Sequence, residues 1–262
     1  MPELNYKNLP LHYSDSGSGE ALLLIHGFLE ELSMWNELTA HFEKSHRVVS
    51  LDLLGHGATG NLGYIHSMES QADMIKFMLD RLGIDKCGII GHSMGGYVGL
   101  AFAEHHPEMI SGLCLMNSSS RADSDEKKTN RDRAIEAVKK NHRAFVKIAI
   151  PNLFSEDNRE RFAGQIVDIT DKSLLMSPQG IIAALEGMKV RKERTPLLLE
   201  TKFPLLMIIG KKDTALDYDS LLEESEITGA DRVIFSDGHM SYIENEHELI
   251  RALAQWGPLV SI

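Results

Sequence analysis

Short apolar runs recur along this chain: Ala21–Ile25, Val48–Leu51, Cys87–Ile90, Leu113–Met116 and Leu205–Ile209, each followed by His, Asp, Gly or Asn. Runs of this length without polar alternation predict strands covered on both faces, as in a parallel sheet. Between two of them, Met68, Ala72, Ile75, Leu79 and Leu82 recur at spacings of four and three, which is one face of a helix, and Gly83 ends it. Strands alternating with helices predict an α/β fold with a doubly wound, mostly parallel sheet. Leu4–Asp15 alternates and predicts an antiparallel hairpin at one edge, ended by Gly17 and Gly19. Arg232–Ser236 predicts a final strand. Asn245, with Glu248 three positions on, predicts a capping box at the start of a last helix.

The alternation fails from Ser118 to Thr201. Arg121–Arg143 is more than half charged, with both signs mixed, as on a solvated helical face. Phe145–Phe154 and Gly180–Val190 predict further helices with apolar faces. The expected organisation is a core built from residues 1–117 and 202–262, with residues 118–201 inserted as a helical cap or lid.

Bulk properties narrow the classes. A chain of 262 residues can hold one core domain with an insertion, and 43% hydrophobic with 25% charged residues is ordinary for a soluble globular protein. A net charge of -11 argues against a nucleic-acid surface and against anionic membranes. No run reaches the roughly 18 apolar residues of a membrane span, and Met1–Pro10 has no signal-peptide core. Cys87 and Cys114 fall in predicted strands, as small core residues of a reducing compartment, so a cytoplasmic location is expected. Neither His-Glu-x-x-His nor Cys-x-x-Cys occurs, so neither a metal nor another cofactor is expected.

Gly91-His92-Ser93-Met94-Gly95-Gly96 lies between an apolar run and a helix-like run, the layout of a nucleophile elbow. By composition alone G-x-S-x-G arises by chance in about one chain in ten of this length, so its context decides. Functional groups of α/β sheets gather at the carboxyl ends of the strands. The segments at those ends are His26-Gly27-Phe28, then Asp52-Leu53-Leu54-Gly55-His56-Gly57, Ser93, Asn117, Gly210-Lys211-Lys212-Asp213, and Asp237-Gly238-His239. Serine, aspartate and histidine thus occur in the order Ser…Asp…His at one edge.

On these ordered motifs the chain resembles the α/β-hydrolase superfamily, in its branch of small capped esterases, C–C hydrolases and related enzymes. The resemblance implies Ser93 as nucleophile, His239 as general base and Asp213 as the acid that orients it. Asp237 is too near His239 in sequence to face it easily, and Asp217 and Asp219 belong to the following helical segment. The family's alternative acid position holds Asn117, which carries no charge. Of the two oxyanion donors, the Met94 N–H follows the nucleophile, and the Phe28 N–H is implied by resemblance. His26, Asp52 and His56 are expected as loop supports, and His92 as packing or bonding near the sheet. Met94, Met176, Met188, Met207 and Met240 are candidates for an apolar pocket or for plain core.

A serine at the elbow implies acyl chemistry and sets aside the relatives that carry an aspartate there. The leading expectation is hydrolysis of a small, mostly apolar carboxylic ester beneath the lid. A second is C–C cleavage or a lyase reaction like that of the menaquinone-pathway relative, for which Arg121, Arg143 and Arg191 are candidate anion binders. A third is a hydrolase-like small-molecule receptor. The expected partner in each case is a small molecule. Activity that needs a neutral imidazole base should rise through the histidine range, about pH 6–7.

Overall fold

The structure, a computed structural model, describes residues 4–259; residues 1–3 and 260–262 of the expected core lie outside them. Strands β1 (Leu4–Tyr6) and β2 (Leu9–Leu11) form an antiparallel pair of their own. Lys7 and Asn8, both at positive φ, make the two-residue turn between them. The hairpin expected over Leu4–Asp15 therefore stops early. Its last part belongs to β3 (Tyr13–Gly17), the one antiparallel strand of the main sheet. Gly17 ends β3 where a Cβ would lie 2.1 Å from the His46 carbonyl oxygen, so a side chain there would block the approach to the next strand pair.

The main sheet has seven strands in the order β3-β5-β4-β6-β7-β8-β9. They are β4 (Ala21–Ile25), β5 (Arg47–Leu51), β6 (Cys87–His92), β7 (Ile110–Met116), β8 (Leu205–Gly210) and β9 (Asp231–Phe235). All pairs from β5 to β9 are parallel. Successive side chains point to opposite faces of a strand, and both faces are covered. Leu23 and Ile25 of β4 join one core cluster, which includes Met68, Ile75 and Phe102. Leu22 and Leu24 join the other, with Leu38, Phe42, Leu249 and Leu253. This double burial is the physical reason that the strands read as unbroken apolar runs. Cys87 and Cys114 are buried and unpaired, and burial raises both thiol pKa values, that of Cys87 to about 12.

Helices α1 (Asn36–Phe42), α2 (Met68–Leu82) and α3 (Met94–His105) connect the first strands. The Ser67 hydroxyl accepts from the Ser70 N–H to start α2, and Gly83 stops it in the left-handed region at φ 66°. Between β7 and β8 lie only helices: α4 (Asp125–Ala149), α5 (Ala163–Ser173), α6 (Pro178–Lys189) and α7 (Thr195–Glu200), with short 3-10 turns. Helix α4 absorbs the charged stretch and the first part of Phe145–Phe154; it breaks at Asn141 and ends before Pro151. The sequence patterns do not foretell α5 and α7. Several contacts fasten this helical segment to the sheet domain. Gly187 of α6 lies so close to the loop before α2 that a Cβ would sit 1.9 Å from the His66 carbonyl oxygen. The buried Arg194 guanidinium pairs with Glu69 at 2.7 Å and with Glu104 at 2.8 Å. Glu224 of α8 (Tyr218–Thr228) accepts from the Ser119 hydroxyl and the Ser120 N–H, both at 2.6 Å.

The C-terminal end corrects one expectation. A short helix α9 (Ser241–Glu244) precedes α10 (Glu246–Ala254), and the Asn245–Glu248 capping box does not form. Asn245 sits at the cap position, but its amide donates instead to Asp237 at 2.9 Å. The cap would need the Asn245 side-chain oxygen as acceptor, and that oxygen has no hydrogen-bond partner among the described residues.

Candidate active site

The chain runs from β4 outward to β5 and then crosses back to β6 on the other side of β4. The loops leaving β4 and β6 therefore diverge, opening the crevice where α/β sheets bind ligands. Gly27-Phe28 occupies one of these loops and Ser93 the other. Ser93 has φ 50° and ψ -115°, a strained conformation for a residue with a side chain. The glycines around it are needed for space. A Cβ on Gly91 would meet the Gly95 backbone at 2.5 Å, and one on Gly95 would lie 2.1 Å from the Ile25 carbonyl oxygen. The Ser93 N–H donates to the Met116 carbonyl at 2.9 Å, and the Ser118 hydroxyl donates to the Ser93 carbonyl at 2.7 Å. The turn is thus fixed from the end of β7, and Ser93 itself is half-buried.

His239 lies on the loop after β9 and Asp213 on the loop after β8. Asp213 Oδ2 is 2.7 Å from His239 Nδ1. Asp213 Oδ1 accepts the N–H groups of Ala215 and Leu216 at 2.8 and 3.0 Å, which fixes the carboxylate plane. The Asn117 amide donates to Oδ2 at 3.1 Å and to the Gly238 carbonyl at 3.3 Å, so it braces acid and histidine loop together. Burial alone would push the Asp213 carboxyl up. The His239 imidazole, the Asn117 amide and the Ala215 N–H outweigh it and hold the group below the usual carboxylate range. The His239 backbone N–H is held by the Leu153 carbonyl at 3.0 Å, a contact from the helical segment between β7 and β8.

Met94 opens α3, where the first N–H groups have no intrahelical acceptor. Neither its N–H nor that of Phe28 has a protein acceptor among the described residues. Gly27 brings the two loops into contact: a Cβ there would lie 3.2 Å from Ser93 Cβ.

His26 bridges its own loop and the next, with Nδ1 2.7 Å from the Gly27 carbonyl and Nε2 accepting the Leu53 N–H at 2.9 Å. Asp52 accepts the Leu32 and Ala58 N–H groups and pairs with His12. His56 is buried, with Nδ1 3.1 Å from the Leu54 carbonyl; burial and the neighbouring His26 hold its pKa well below the usual histidine value. His92 bonds both Glu30 and the His239 carbonyl. Sequence reading missed Glu30. Its position, three residues after Gly27 in the first edge loop, was the available signal.

The candidate anion binders are engaged by carboxylates or exposed. Arg191 pairs with buried Asp123 and lies 4.0 Å over the Tyr97 ring. Arg121 pairs with Glu223 at 2.8 Å, and Arg143 is exposed. Lys127, in the first turn of α4, was not singled out by sequence. It is partly buried, and its ammonium has no hydrogen bond or ion pair among the described residues. Burial, Arg191 and Arg131 lower its pKa, against the pull of Asp123 and Asp213. The candidate methionines are all buried in the two core clusters. A cavity of about 350 Å³ opens beside the loop that follows β4, lined by Leu29, Met34, Phe162, Ile169 and Tyr242 among others, and none of Ser93, Asp213 and His239 lines it. Among the described residues no helix is long and apolar enough to cross a membrane. No group of His, Cys, Asp and Glu there could hold a metal ion.

A sequence model of the alpha/beta hydrolase fold family matches residues 20–246. The structure is similar to that of a thermophilic esterase from Thermogutta terrifontis, with TM-score 0.89 and 30% identity over 95% of this chain and 93% of the other. It is also similar to an enol-lactonase from Burkholderia xenovorans LB400, with TM-score 0.89 and 26% identity over 97% and 98%. In sequence it is 22% identical over 260 residues to the (E)-2-((N-methylformamido)methylene)succinate hydrolase of Acinetobacter baylyi, covering 95% of this chain and 94% of that one. Other curated relatives match over shorter stretches, and the chain spans only 30–41% of their length.

Proposed function

The chain belongs to the α/β-hydrolase fold family, and from that premise we propose that it is a serine hydrolase cleaving a small, mostly apolar carboxylic ester through an acyl-enzyme on Ser93. The observation that carries this reading is a strained serine at the strand-to-helix turn, at the same carboxyl edge of the parallel strands as a buried Asp213–His239 pair at 2.7 Å. In this mechanism His239 Nε2 takes the Ser93 proton as Oγ attacks the ester carbonyl, and returns it to the leaving alcohol. Asp213 keeps the proton of the imidazole on Nδ1 and stabilises the imidazolium. The N–H groups of Met94 and Phe28 stabilise the oxyanion. Water then repeats the sequence on the acyl-enzyme. Residues 118–201 act as the lid over this crevice. The esterase and enol-lactonase likenesses support acyl transfer, and the engagement of Arg121 and Arg191 by carboxylates favours a neutral substrate. The test is turnover of short p-nitrophenyl esters: wild type turns over and Ser93→Ala does not. Equal rates for the two would refute the reading.

Lys127 favours a second reading. A carboxylate-bearing substrate, cleaved at a C–C bond or an activated acyl group by the same residues, would find in it an ammonium without a protein partner. The succinate-derivative hydrolase of Acinetobacter baylyi has a substrate of that character in its name. Comparison of neutral with carboxylate-bearing esters separates the two readings.

A further inference from the structure

Behind Ser93 and His239 lies a buried pair of opposite charges that the proposed chemistry does not use. Glu30 and His92 are 5% and 1% exposed. Glu30 Oε2 accepts the Gly27 N–H at 2.6 Å and lies 2.8 Å from His92 Nδ1. His92 Nε2 lies 2.9 Å from the His239 carbonyl oxygen. Both ring nitrogens thus face oxygen atoms that act as acceptors, a carboxylate and a carbonyl. A ring nitrogen bonds an acceptor only when it carries a hydrogen, so with Glu30 ionised both nitrogens donate. Burial opposes charge on both groups, but their mutual attraction raises the His92 pKa and lowers that of Glu30.

The contacts of this pair reach the Phe28 loop, the Ser93 turn and the His239 loop. Glu30 holds the peptide just before Phe28. On the other side of Phe28, the Leu29 carbonyl accepts from the Ser173 hydroxyl of α5 at 2.6 Å, while Leu29 itself sits at φ 63°. The Phe28 N–H is therefore bracketed by two fixed neighbours. His92 immediately precedes Ser93, and its ring packs 5.1 Å from the His239 ring and 5.5 Å from Tyr242. There is no room for variation at the meeting point: a Cβ on Gly27 would lie 2.6 Å from Glu30 Oε2 and 2.9 Å from His92 Nδ1. A buried ion pair is weak as a source of net stability, because desolvation offsets its attraction. Its directional bonds, by contrast, fix geometry.

We infer that Glu30 and His92 are positioning residues. Together they set the oxyanion-side loop, the elbow and the His239 loop at one fixed spacing. The inference rests on the reading of Ser93 and His239 as nucleophile and base. In Glu30→Gln the negative charge is gone, and the buried His92 ring then carries a single N–H. It can no longer donate both to residue 30 and to the His239 carbonyl, so one tether is lost.

The experiment compares full-length wild type, Glu30→Gln, His92→Gln and the double variant, each normalised to folded protein by circular dichroism. Three quantities are read: the rate at which a fluorophosphonate modifies Ser93, and kcat and KM for a short p-nitrophenyl ester. The modification rate and kcat should each fall about ten- to a hundredfold, the scale of a misplaced reacting group. KM should move less than about threefold, since ground-state binding is untouched. The double variant should fall no further than the worse single variant, because the two act as one unit. If Glu30→Gln folds poorly, His92→Gln carries the same comparison. Folded variants modified at the wild-type rate, or losses that multiply in the double variant, would overturn the inference. A wild-type Ser93 inert to the fluorophosphonate would overturn the nucleophile reading itself, an outcome visible before any variant is made.

Discussion

Replacing Asp213 by Asn changes one atom's chemistry and leaves the shape of the site intact. The outcome can be worked out from the contacts. Asp213 Oδ1 accepts two backbone N–H groups, from Ala215 and Leu216. In the variant only the amide oxygen can serve there, so the NH2 group must replace Oδ2. It then points at His239 Nδ1, 2.7 Å away in the wild type, and at the Asn117 amide, itself a donor, 3.1 Å away. A donor facing Nδ1 forces the imidazole proton onto Nε2, the nitrogen that must accept from Ser93. Loss of the working tautomer in a triad of this type costs about 10⁴-fold in kcat, or about 5 kcal/mol of barrier. Stability provides a control. Because the folded carboxyl is held below its ordinary value, its contribution is present above the usual carboxylate pKa and lost as pH falls through the lowered one. The variant should therefore be less stable than wild type near neutrality, and the gap should shrink in acid. The assay is p-nitrophenyl ester turnover with thermal melts alongside. A folded Asp213→Asn protein that retains more than about a tenth of wild-type kcat would refute this reasoning, since tautomer control would then not limit the rate.

Other predictions rest on single contacts. Gly95→Ala would place a Cβ 2.1 Å from the Ile25 carbonyl oxygen, where only backbone can yield; a loss of at least about 1–3 kcal/mol should appear in urea unfolding, and an unchanged midpoint would contradict it. His66 is pushed down to about 4 from 6.5 by burial, so folding with it neutral is fully favourable above 6.5 and weakens as pH falls toward 4. His66→Gln should flatten the acid loss of stability in that window, and an unchanged slope would count against it. Lys127→Met should raise KM for a carboxylate-bearing ester about tenfold, the value of one exposed-side charge contact of about 1.4 kcal/mol, and leave a neutral ester unaffected. An equal change for both esters would show that Lys127 acts on folding or on the lid.

Much of this architecture was legible because the sheet is covered on both faces. Leu22 to Ile25 read as one apolar run since alternate residues enter different core clusters. Gly83 read as a helix stop because its left-handed conformation has few other occupants. The order Ser93, Asp213, His239 was legible because each comes after a strand end. Less was legible where partners come from afar. Asn245 has the composition of a helix cap, but Asp237 takes its amide. Glu30 looks like any loop carboxylate until folding brings His92, 62 positions away, against it. Helix α5 was missed because its apolar positions pack only partly, leaving Val167 exposed, and α7 because it is a six-residue helix, too short for a periodic pattern, with Leu199 exposed. Arg191 looked available to a substrate anion, and its commitment to Asp123 and Tyr97 depends on the bend of the chain after β7.

The central claim is that Ser93 carries the acyl group. Rapid quenching of wild type with a slowly deacylated ester, followed by peptide mass spectrometry, measures this directly. The account predicts an adduct of acyl mass on the peptide containing Ser93, formed at the rate of the burst and absent from Ser93→Ala. Steady turnover with no adduct on that peptide, or with the acyl group on another residue, would contradict it.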